Sequence, residues 1–119
     1  MKIVVCVKQV PDTAADKKFN AQNRLERTGI ENILNPFDEY AVEEALRLKE
    51  AQGGEVTALC MGPETARETV RKAIAMGVTK GVVIADAALA SGKVAAKGTS
   101  GAGVSEERVK QIVRELVAE

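Results

Sequence analysis

Apolar residues fall along this chain in two spacings. Unbroken runs stand at residues 2–7 (KIVVCV), 55–61 (EVTALCM) and 81–85 (GVVIA). Each is strand-length, and an unbroken apolar run reads as a strand covered on both faces, as in a parallel sheet. Between them the spacing changes to threes and fours. Ala41, Val42, Ala45, Leu46 and Leu48 repeat with helical period, with charges opposite. Asn35 suits the N-cap of that helix, Pro36 its first position and Asp38 its first turn, and Gly53-Gly54 ends it. Gly62-Pro63 breaks the second strand. A second helix is expected over about residues 64–75, with Ala66, Val70, Ala73 and Ile74 on one face and Gly77 as C-cap. Near the end, Val109, Ile112, Val113, Leu116 and Val117 form an apolar stripe. Ser105 caps that helix, Glu106 and Glu107 suit its dipole, and Val104 can staple against Val109.

The order is β-α-β-α-β. Right-handed crossovers make the strands parallel and lay helices on the sheet. Ligands of such sheets sit beyond the carboxyl ends of the strands. Those ends fall at residues 7–10, at Met61-Gly62 and at Ala85-Asp86, and Asn35–Asp38 heads its helix on that same edge. Two segments interrupt the pattern. Residues 8–32 are polar and irregular, with turn chemistry at Pro11-Asp12-Thr13 and a small hairpin expected around Gln22-Asn23, pairing residues 18–21 with 25–28. So long an excursion suggests a functional or partner-facing role. From Ala87 the run AALASGKVAAKGTSGAG reads as a weak helix and then a flexible linker. The organisation expected is an α/β domain over residues 1–89, a linker over 90–104 and an amphipathic helix over 105–119.

Composition narrows the chemistry. The 119 residues carry 17 basic and 17 acidic side chains, so no net field recruits nucleic acid or anionic lipid. No apolar run approaches a membrane span and the N-terminus has no signal-peptide layout, which makes the cytoplasm the default. Histidine is absent, which removes the commonest general base and zinc ligand, and no carboxylate or cysteine cluster has metal-site spacing. Cys6 and Cys60 each sit within a strand, where a small hydrophobe is the plain reading. Three aromatics, Phe19, Phe37 and Tyr40, are too few for base-stacking platforms. No nucleophile–base pair appears, so catalysis by side chains is not expected.

The combination IVVCVKQVPD, a polar hairpin, LNPFDEYAVEEALRLKE, EVTALCMGP, AIAMG and a strand ending at Asp86 resembles the N-terminal half of an electron-transfer flavoprotein beta subunit, over residues 1 to about 89. The resemblance implies a Rossmann-like fold similar to adenine-nucleotide alpha-hydrolase domains, here cut to about three parallel strands plus the last helix. It implies a partner, the alpha subunit carrying FAD, and a structural AMP held by the beta subunit. Carried over, the AMP-contacting positions would be Cys6, Asn35, Pro36, Phe37, Asp38 and Met61. The flavin would supply the redox chemistry, which leaves this chain an accessory rather than an enzyme. The family's further strands, phosphate-binding loop and partner-wrapping arm have no counterpart in these residues. KGTSGAG lies in a linker with no strand before it, and the first strand is left with an open edge.

Two function classes follow. One is a beta-like module that supports a flavin-bearing subunit in electron transfer and binds AMP or ADP. The other is a non-redox nucleotide-binding or assembly module, self-associating through its open edge or its last helix. That helix can pack back on the sheet or dock on another protein; its mixed charges disfavour a membrane surface.

Overall fold

The computed structural model describes residues 1–26, 29–86 and 106–117. The elements are β1 (Lys2–Val7), β2 (Gln9–Pro11), β3 (Asn32–Leu34), α1 (Pro36–Gln52), β4 (Glu55–Met61), α2 (Ala66–Ala75), β5 (Lys80–Ile84) and α3 (Glu106–Val117). β1, β4 and β5 form a parallel sheet in that order, so the expected Rossmann-like α/β architecture is present, and among the described residues β1 is an edge strand. Register runs from Lys2 opposite Glu55 to Val7 opposite Cys60, then from Thr57 opposite Lys80 to Met61 opposite Ile84.

The two faces of the sheet are covered differently. Val5, Val7, Val56, Ala58 and Cys60 point to one face, where Val42, Ala45 and Leu46 of α1 and Ala66, Val70 and Ala73 of α2 close a buried core. At about 25 cal/mol per Å² of apolar surface, each of the larger of these side chains contributes about 1.5–3 kcal/mol of burial. On the other face Leu59 and Ile84 are the buried apolar side chains, beneath the half-buried Val109, Ile112, Val113 and Leu116 of α3, and Thr57 is buried on that side of β4 as well. The last helix therefore lies back on the sheet.

At the amino ends of the strands the Glu55 N–H donates to the Met1 carbonyl (3.0 Å), and Gly54 beside it has φ 116°. A Cβ at Gly54 would stand 1.9 Å from the Met1 carbonyl oxygen, so this crossing requires glycine. Glu55 also pairs with Lys80 (3.0 Å), whose hydrogen bond holds the Glu55 carboxyl below its ordinary value.

Some expectations shift. α2 begins at Ala66, because Pro63–Thr65 first form tight turns whose carbonyls accept from the Ala66, Arg67 and Glu68 N–H groups. It is capped at Met76, one residue before Gly77, which takes the positive φ. In the excursion, β2 and β3 pair antiparallel, Gln9 opposite Leu34 and Pro11 opposite Asn32, a contact the turn-like sequence does not announce. Among the described residues the hairpin shows one bridge, Phe19 to Leu25, with Asn23 in the left-handed region at its tip. The expected linker, its weak helix, Val104 and the Ser105 cap lie outside the described residues, as do positions 27–28 of the hairpin.

Candidate functional site

At the carboxyl edge the chain leaves β1 at Lys8 and enters α1 through Asn35, and polar contacts tie the two together. The Asn35 N–H donates to the Lys8 carbonyl (2.9 Å), and the Lys8 N–H donates to Asp38 Oδ2 (2.7 Å). Asn35 also caps α1: its Oδ1 accepts from the Phe37 N–H (3.1 Å) and its carbonyl from the Asp38 N–H (2.9 Å). One Asn-Pro-Phe-Asp turn thus caps its own helix and fixes the exit of the first strand. A carboxylate accepting a main-chain N–H at the positive end of a helix is a charge-assisted contact, stronger than a neutral one.

A second tie crosses to α2. Gln9 Nε2 donates to the Thr65 carbonyl (3.1 Å), while Thr65 Oγ1 donates to Gln9 Oε1 (3.3 Å). The Gly62 N–H donates to the Ile84 carbonyl (3.0 Å) and links the ends of β4 and β5. Beneath this ledge lies the fully buried Cys60. Burial pushes its thiol upward, the Gln9 backbone N–H pulls it down, and the Asp38 charge adds a smaller upward push.

Of the residues the resemblance nominated, Asn35, Pro36, Phe37 and Asp38 occupy this one turn. Asn35 and Asp38 are half-buried and engaged, whereas the Phe37 side chain is 79% exposed. Cys6 is the last residue but one of β1 and Met61 the last of β4, but strand alternation puts both on the α3 face, across the sheet from α1. Met61 is 42% exposed and Cys6 is exposed. A ligand meeting all six must therefore lie over the strand ends rather than against one face. Cys6 and Cys60 point to opposite faces, which precludes a disulfide between them without backbone movement. Sequence reasoning put residues 7–10 at this edge but foresaw neither the ties from Lys8 to Asp38 and from Gln9 to Thr65, nor Cys60 as the residue beneath them. Only a polar Lys-Gln directly after an apolar strand hinted at them.

The edge is an open ledge. The two shallow depressions that stand out elsewhere touch none of the six residues. One, of about 390 Å³, lies in the excursion between Asp16, Glu26 and Ile30, and one of about 260 Å³ lies between Arg67, Arg71 and Gly81. No metal-binding group of His, Cys, Asp or Glu occurs among the described residues, and none of their helices is long and apolar enough to cross a membrane. The ledge can offer main-chain donors and acceptors, one carboxylate and an apolar thioether.

A family model of the electron transfer flavoprotein domain matches residues 22–108. The chain belongs to this family. It is 45% identical over 86 residues to Protein FixA of Azorhizobium caulinodans, covering 72% of this chain and 31% of that protein. It is 49% identical over 84 residues to the acryloyl-CoA reductase electron transfer subunit gamma of Anaerotignum propionicum, covering 71% and 32%. With the electron transfer flavoprotein subunit beta of Megasphaera elsdenii the figures are 42% over 99 residues, covering 82% and 37%. The chain thus spans about a third of the length of these electron transfer flavoprotein relatives.

Proposed function

We propose that this chain is a beta-subunit-like module of an electron transfer flavoprotein system, supporting a separate FAD-bearing subunit of the alpha type. It holds AMP or ADP over the strand ends through Cys6, Asn35, Pro36, Phe37, Asp38 and Met61. The observation that carries the reading is the tie of Lys8 to Asn35 and Asp38, which builds a rigid ledge at the ligand edge of a parallel sheet. In α1 the Phe37 and Asp38 N–H groups are already taken by Asn35, so this helix start suits an adenosine better than a phosphate. The phosphate would need donors from elsewhere, on the partner or on further chain. With no nucleophile–base pair on the ledge, the electrons would pass through the partner's flavin, in the cytoplasm.

The test is to purify the chain with its flavin-bearing partner and identify by mass whatever small molecule leaves on denaturation. The expected result is a yellow complex that releases one AMP or ADP per copy. With Asp38→Ala the nucleotide should fall to a small fraction while the chain stays folded. A flavin-bearing complex without adenine nucleotide would remove the ledge assignment. A nucleotide-loaded chain that never associates with a flavin subunit would favour the non-redox assembly reading, for which the open edge of β1 is the structural support.

A further inference from the structure

Two consecutive residues leave β1 by gripping two different helices. Lys8 holds the start of α1 through its main chain, with the Asn35 N–H and Asp38 Oδ2 as partners. Gln9 holds the approach to α2 through its side chain, and its amide works in both directions. Nε2 donates to the Thr65 carbonyl (3.1 Å) and Oε1 accepts from the Thr65 hydroxyl (3.3 Å). A side-chain amide can answer a carbonyl and a hydroxyl at once, which neither a carboxylate nor an ammonium can do. The Gln9 main-chain N–H also donates to the Cys60 thiol. Gln9 therefore holds the chain on both sides of Met61, at Cys60 before it and at Thr65 after it. The Asn35–Asp38 turn and Met61 lie on different elements, and the Lys8-Gln9 pair is a two-residue bridge between them. Thr65 is exposed and Gln9 only half-buried, and a hydrogen bond that water can replace contributes little to folding. Such a tie matters more for where it puts the turn than for its energy.

We infer that Gln9 and Thr65 are positioning residues for the ligand of the ledge, setting the spacing between the Asn35–Asp38 turn and Met61. This role rests on the nucleotide assignment proposed above, and it adds two residues outside the six contacts. With the tie cut, the turn at residues 62–65 can move away from Gln9, and the apolar wall at Met61 moves with it. A ligand spanning both ends must then reorder the turn as it binds. Affinity falls although no contact to the ligand has been removed.

The first test needs no ligand. The Gly62 N–H is bonded to the Ile84 carbonyl beside the tied turn. In the free chain Gln9→Met and Thr65→Val should each speed its hydrogen exchange by about threefold or more, with the urea midpoint nearly unchanged. The second is equilibrium dialysis of AMP against the chain purified with its flavin-bearing subunit. Each variant should bind about five- to tenfold more weakly, the equivalent of one ordinary hydrogen bond. Thr65→Ser keeps both the hydroxyl and the carbonyl, and should recover most of the binding lost in Thr65→Val. Unchanged Gly62 exchange in both variants overturns the inference, whatever AMP does. So does an AMP affinity indifferent to both changes, or a loss that Thr65→Ser fails to recover. Faster Gly62 exchange beside a wild-type complex that takes up no AMP leaves the tie standing. That result removes the nucleotide assignment and, with it, the positioning role.

Discussion

The two faces of the sheet are built to different standards. Under α1 and α2 the side chains interlock, with Val42, Val56, Ala58, Cys60, Ala66 and Ala73 all fully buried. Under α3 the buried apolar cluster is just Leu59 and Ile84, and the helix residues above them are half-exposed. The ledge is assembled from both. Asn35 and Asp38 rise from the dense face, whereas Cys6 and Met61, near the ends of β1 and β4, lie on the looser one. A site spanning the two has one half positioned by close packing and one half that yields more readily.

Thiol chemistry gives the widest separation between the faces. Ellman's reagent should label the exposed Cys6 at once, while Cys60 waits for the fold to open, a difference on the order of 10³-fold in rate. Equal rates would mean that the dense face is not closed. Core truncation comes next. Val42→Ala should cost about 2–3 kcal/mol in urea unfolding, and Ile112→Ala, on the looser face, about 1 kcal/mol. The second change should mostly raise amide exchange within α3. If Ile112→Ala proves as costly as Val42→Ala, the contrast is lost.

Asp38→Ala probes the seam at the ledge. It removes the acceptor of the Lys8 N–H and should lower stability by about 1 kcal/mol, while nucleotide retention drops far more. Smallest is a pH effect. Because burial raises the Cys60 thiol above its ordinary value of 9.0, its neutral form contributes stability that is complete below that pH. That contribution is lost as pH rises toward the folded value. Cys60→Ala should therefore flatten the alkaline decline in melting temperature, and an unchanged slope would argue against a sealed thiol.

Much of the architecture was legible because its signals are local. β1, β4 and β5 are short apolar runs, and α1 carries its cap, its proline and its period within one stretch. The pairing of β2 with β3 was not legible. Three residues ending in a proline show no period, and their partners lie some twenty residues away beyond a polar segment. At the site, Asn35 and Asp38 read as helix punctuation, and so they are. Their second job, gripping Lys8, joins positions 30 residues apart in sequence and exists only once the strand and helix have met. The tie between Gln9 and Thr65 escaped for the same reason, since it forms only once α2 brings the two together.

The register of the edge strand has a consequence for how this protein comes into being. Lys2–Val7 is made well before Glu55–Met61, its strand partner among the described residues. At roughly 5–20 residues per second that partner is made roughly 3–10 s later. Throughout that interval an uncharged IVVCV segment with no hydrogen-bonded neighbour is available to other chains, and the parallel pairing that ends the wait is among the slower kinds to form. The amount of intact protein a cell obtains should therefore depend on what shelters Lys2–Val7 during synthesis.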